Sequence, residues 1–184
     1  GAHKYPFSLP ETRAVMDFVM KRPNIAAAQS YHNSGGMILR GPGVAEDIST
    51  YTRQDVQVYD AIGEMGERLI PGYRYLVVYD DLYDVFGGEL DWFYGVRGVF
   101  TYSNELWTSY EMFQSNDRNA TDSYEFNKHL LFGDAMVEWK PYNHPQYGEI
   151  EIGGFEKNFG RAHPGFLLEQ GAHRNMAFTI YHAC

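Results

Sequence analysis

Three residues in this sequence have types and settings that together could make a hydrolytic site: His32, Glu105 and Tyr83. His32 follows the short apolar run from Ile25 to Ser30, and its imidazole can bind a metal or carry a proton near neutral pH. Glu105 is followed by Leu106 and Trp107. A carboxylate in such apolar company must be paired, protonated or used, because burying an uncompensated charge is costly. Tyr83 stands shortly before the Gly87-Gly88 turn. Each residue also has a plain structural reading: a hydrogen-bonded histidine, a paired glutamate, a core or surface tyrosine.

Other titratable pairs point less clearly to chemistry. Glu169 and His173, and likewise Glu125 and His129, are four apart and would share a helix face. A closed zinc site needs three or four convergent ligands, so both pairs read as solvated helix pairs. His144 and His163 each precede a proline and read as loop or helix-entry residues, and Asn119-Ala120-Thr121 fits a glycosylation acceptor.

The elements that must position these residues alternate between helix and strand. Ser8-Leu9-Pro10-Glu11 offers an N-cap hydroxyl, a first-turn proline and a capping-box glutamate, followed by an apolar stripe of Ala14, Val15, Phe18 and Val19 that stops at Pro23. The run Ile25 to Ser30 suits a buried strand that delivers Tyr31-His32-Asn33 at its C-terminal end, where open α/β sheets bind ligands. Met37-Ile38-Leu39 is a second extended piece, and a helix over about 52–68 carries Tyr59, Ile62, Met65 and Leu69 at helical spacing. Residues 73–82 contain a β-prone run, and 98–102 read as a buried strand ending close to Glu105. From about 108 to 160 polar residues, Pro141, Pro145 and several glycines break any long periodicity, leaving a short helix over 125–132 and a strand over 149–152. A helix over about 166–181 closes the chain. This alternation predicts an α/β fold with a mixed, mainly parallel sheet flanked by helices.

Composition bounds the function. The 184 residues are 44% apolar, enough for one packed core. A formal net charge of −9 argues against nucleic acid as partner, since that binding is driven by lysine and arginine. No run is long and apolar enough for a membrane span, and no signal peptide is visible. The one cysteine, Cys184, excludes an intrachain disulfide and a cysteine zinc cluster. Aromatics at 16%, with 15 tyrosines, suit a well-packed core or a cleft that grips peptide.

The segment from Tyr83 through Gly87-Gly88, Glu89-Leu90 and Asp91-Trp92 to Glu105 resembles the carboxypeptidase A family of zinc peptidases. There a mobile tyrosine, a Gly-Gly turn, an Asp-Trp pair and a catalytic glutamate occur in that order. Tyr31-His32-Asn33-Ser34, with Leu39 and Pro42-Gly43 downstream, is similar to the family segment that carries the last zinc-ligand histidine. The resemblance runs over residues 5–107 and resumes in the terminal helix from about Gly165.

That resemblance implies specific roles. His32 would bind Zn²⁺ as a neutral imidazole, and Glu105 would act as general base on a zinc-bound water and then return the proton to the leaving amine. Tyr83 would close over the C-terminal residue of a peptide substrate. Asn33, Ser34, Leu39, Leu90 and Ser103 would contact substrate. Leu90 occupies the base of the specificity pocket, so an apolar terminal side chain is expected, with Glu89 and Asp84 close enough in sequence to alter that.

The departures are equally specific. None of the seven histidines is followed three residues later by glutamate, so the family's first zinc pair is absent, as is its Asn-Arg carboxylate grip. Asn33-Ser34 stands where the digestive branch has Ser-Tyr, and Trp107 where it has arginine. The expectation is that residues 1–184 are the C-terminal part of a catalytic domain, with an insertion at about 108–160 and inactive alone. Its partner would be the upstream half of the domain, and a secreted or periplasmic location fits the family. A non-catalytic peptide-binding module and a homodimer covering an exposed sheet edge stay open as alternatives.

Overall fold

The computed structural model describes residues 3–108, 122–157, 159 and 165–184. Asn119 and His163 lie outside those residues. Helix α1 (Pro10–Met20) leads into strand β1 (Ala27–Asn33) and strand β2 (Met37–Arg40); α2 (Arg53–Leu69) is followed by β3 (Arg74–Val77) and β4 (Phe100–Leu106). Beyond β4 come α3 (Asp122–His129), the hairpin strands β5 (Met136–His144) and β6 (Gly148–Phe155), and the terminal helix α4 (Gly165–Ala183). The main sheet has the order β1-β4-β2-β3. Its β1/β4 and β2/β3 pairs are parallel and β2/β4 is antiparallel, so the sheet is mixed, mainly parallel and flanked by helices, as expected.

One face of this sheet carries the aromatic core. Tyr102 of β4, Tyr59 of α2 and Phe178 of α4 are fully buried and meet edge to face, with ring centroids 5.2 and 5.6 Å apart. Their polar tips are satisfied inside the core: the Tyr59 hydroxyl accepts from the Thr101 amide at 3.0 Å and the Tyr102 hydroxyl donates to the Tyr59 carbonyl at 2.7 Å. Burial pushes both phenols well above the usual range, which keeps them neutral. A ladder of amides fastens α4 to the same face. Gln29 donates to Asn104 at 2.9 Å, and Asn104 donates to Asn175 at 2.7 Å. Tyr51, Tyr73 and Tyr94 are buried in the same core.

Two local expectations change. Ser8 does not cap α1; Leu9 is the N-cap residue, no side chain caps the helix, and the Ser8 hydroxyl pairs with His3 instead. Within its stripe only Val19 is buried, while Val15 and Phe18 are exposed. The second change lies in the segment read as irregular. Residues 136–155 form an antiparallel hairpin that accommodates Pro141 because a two-stranded ribbon has two free edges. Phe155 and the stacked Phe159 join Trp107, Phe126 and Leu131 in a small second cluster beside the end of β4. No helix among the described residues is long and apolar enough to cross a membrane.

Candidate active-site pocket

Register places the candidate residues on one face. In the parallel β1/β4 pair His32 lies opposite Glu105 and Ser30 opposite Ser103; in the antiparallel β4/β2 pair Ser103 lies opposite Leu39. Strand side chains alternate, so residues two apart share a face. His32, Ser103, Glu105 and Leu39 therefore project together on the side away from the aromatic core. Their backbone is pinned where β4 ends, since the Gly36 amide donates to the Glu105 carbonyl at 2.8 Å and the Gly35 amide to the Trp107 carbonyl at 2.9 Å.

The other wall comes from the segment after β3. The chain coils through a single wide turn at Val78–Leu82 and then enters the loop that holds Tyr83. The Val85 amide donates to the Gly43 carbonyl at 2.8 Å and the Tyr79 amide to the Pro42 carbonyl at 3.3 Å, which ties this loop to the end of β2. A short helical stretch, Glu89–Asp91 continuing into Trp92–Val96, starts after the Gly87-Gly88 turn. Leu90 is buried there against Leu39, Leu76 and Val78.

The result is a pocket of about 220 Å³ lined by His32, Leu39, Tyr83, Leu90, Ser103 and Glu105, with Glu89, Asp91 and Gly43 among its further walls. Six residues singled out from the sequence come together in it. Asn33 and Ser34 do not line it; they lie just past His32, joined by a cis peptide bond. Tyr83 lines the pocket with 68% of its surface exposed, unlike the buried Leu39, Leu90 and Ser103.

Two partners were not visible in sequence. Glu89 accepts a short hydrogen bond from the Ser30 hydroxyl, and its Oε1 lies 3.4 Å from His32 Nε2. The carboxylate thus sits against one ring nitrogen and leaves Nδ1 for another ligand. Asp91 accepts from the Gly43 amide with both oxygens, at 3.1 Å each, and from the Tyr51 hydroxyl at 3.3 Å. Burial raises its carboxyl above the ordinary value, opposed by the hydrogen bonds from Gly43 and Tyr51. Sequence separations of 59 and 40 residues hide both contacts from any local pattern.

The donor set fits one corner of a zinc site. A metal-binding histidine ordinarily gives its second ring nitrogen to a carboxylate or carbonyl, and the His32–Glu89 contact has that form. Among the described residues, however, no group of three or more histidine, cysteine, aspartate or glutamate side chains could hold a metal ion. Glu125 and His129 are in exposed side-chain contact at 2.8 Å along α3, in line with their reading as a solvated helix pair.

Comparison with known proteins follows the same lines. No curated protein sequence matches. Among solved structures, thrombin activatable fibrinolysis inhibitor matches at 25% identity with a TM-score of 0.42, over 58% of this chain and 27% of that one. Carboxypeptidase A from Helicoverpa armigera matches at 25% identity with a TM-score of 0.40, over 56% of this chain and 26% of that one. The chain therefore spans about a quarter of the length of these structures. The family model for zinc carboxypeptidases matches residues 2–126, well over half of the 184 residues, and the chain belongs to that family.

Proposed function

We propose that this chain supplies the specificity pocket, the general base and one metal-ligand histidine of a zinc carboxypeptidase that releases C-terminal residues from peptides. The convergence of His32, Tyr83 and Glu105 on one pocket, from three separate parts of the chain, carries this reading. Glu105 takes a proton from the attacking water as oxygen bonds to the scissile carbonyl carbon. It then delivers that proton to the leaving nitrogen as the C–N bond breaks. Tyr83, exposed on its loop, closes over the terminal residue, whose side chain enters between Leu39, Val78, Leu82 and Leu90. A bound zinc supplies the Lewis acid of this chemistry, with His32 as one of its nitrogen ligands. The test is the complete protein carrying this chain. Glu105→Gln is expected to lower kcat by about 100-fold or more while peptide still binds, and an unchanged kcat removes Glu105 from the reaction.

A second reading is a carboxypeptidase-like module that holds peptide without metal, since the described residues alone bring no three metal donors together. Peptide capture with and without a chelator separates the two. Binding that ignores the chelator favours the module.

A further inference from the structure

Resting on the reading of this pocket as the specificity pocket, we infer that it selects a basic terminal residue, lysine or arginine, and that Glu89 determines this choice. The base residue Leu90 alone suggests an apolar preference. The built pocket is different, because the residues on both sides of Leu90 also line it: Glu89 and Asp91, with Glu105 nearby. Three residues that carry carboxylates therefore line a small volume, and among the described residues no lysine or arginine lines it.

The walls supply the other half of the argument. Leu39, Val78, Leu82, Val85 and Leu90 form an aliphatic sleeve. Lysine and arginine match such a sleeve with their alkyl stems while their charged heads seek an anion. An apolar terminal side chain would fill the sleeve but strip water from the carboxylates without compensation, a cost that a cationic head offsets. An acidic side chain would meet like charge.

The three carboxylates are not equivalent. Asp91 is committed to the Gly43 amide and the Tyr51 hydroxyl, and Glu105 is the proposed base. Glu89 holds Ser30 and His32 through Oε1 alone, and its side chain is 41% exposed, so its second oxygen is open to a ligand. It is the carboxylate best placed to select charge.

The experiment uses the 184-residue chain and three N-acetyl dipeptides with free C-termini, ending in arginine, leucine or glutamate, followed by the amide resonances of Gly43 and Gly88. The arginine peptide is expected to bind about tenfold more tightly than the leucine peptide, as one desolvated charge pair provides. Glu89→Gln should bring the two near parity, and Glu89→Lys should turn the preference to the glutamate peptide. Leucine binding as tight as arginine in the unmodified chain overturns the inference, as does an arginine preference that survives Glu89→Gln. If no peptide shifts either resonance, the assignment of the pocket to substrate fails instead.

Discussion

Asp91 shows how one carboxylate can shape a pocket through hydrogen bonds to the backbone. Its two oxygens hold the Gly43 amide beside the end of β2, and the Tyr51 hydroxyl anchors it from the opposite side. Desolvation raises its carboxyl in the folded protein above the unfolded value, more than those bonds lower it. A carboxyl with a raised folded pKa contributes most stability at low pH, and that contribution is lost as pH rises through the folded value. The gap in stability between the unmodified chain and Asp91→Asn is therefore expected to shift in favour of asparagine as pH is raised from 3 to 7. Urea unfolding at several pH values reads this directly; a gap that shifts in favour of the unmodified Asp91 toward neutral pH refutes it. The sequence made Asp91 visible through its tryptophan neighbour and the family order. Its hydrogen-bond partners were not visible, because Tyr51 and Gly43 reach it only through the fold. Glu89 was legible only as a charge close to Leu90, and nothing in the pattern announced Ser30 as its partner.

The elements were easiest to read where a single periodicity ruled. Helix α2 begins at Thr52, whose hydroxyl accepts the Asp55 amide, and its expected apolar positions face the sheet. What the pattern missed is that Gly63 and Gly66 are also on that face and buried. Glycine reads as a weak helix former, but here it allows the helix to approach the sheet. A Cβ at Gly63 would lie 2.3 Å from the Tyr75 ring, and one at Gly66 would lie 2.6 Å from Ile38 Cδ1. The Tyr75 ring has little room to swing away, since its hydroxyl accepts from Arg40 at 2.6 Å and donates to Asp60 at 2.9 Å. Alanine gains about 1 kcal/mol in helix propensity, whereas overpacking a core costs about 1 to 3 kcal/mol. With three Tyr75 ring atoms within 2.6 Å the cost lies at the upper end of that range, so Gly63→Ala is expected to destabilise the chain by about 1 to 2 kcal/mol in chemical denaturation. A neutral or stabilising effect would mean that the helix can retreat. Of the hairpin over 136–155 the strand read at 149–152 falls inside β6, whereas β5 was missed for the opposite reason. Pro141 and the glycines argue against a central strand, but the isolated ribbon has only edges, where proline is tolerated.

At the scale of the molecule, the described residues build the sheet side of the pocket but bring together no set of three metal donors. The strand register sets His32 opposite Glu105. A zinc ion, by contrast, needs three or four ligands arranged around it. Among the described residues His32 is the one histidine that lines the pocket, and they form no three-donor group. Complete structural zinc sites bind with about 10 to 16 kcal/mol, and one imidazole with a neighbouring carboxylate falls far short of that. Calorimetric titration of the 184-residue chain with zinc at neutral pH is therefore expected to show no tight site, and His32→Ala should leave the weak residual heat nearly unchanged. A single tight site abolished by His32→Ala would place the missing ligands within this chain, among residues outside those described, and would make it a zinc protein in its own right. A tight site insensitive to His32→Ala would put the metal elsewhere and separate His32 from zinc chemistry altogether. The two outcomes differ in where the ligands must be sought, so this titration should come before any assay of peptide release by the chain.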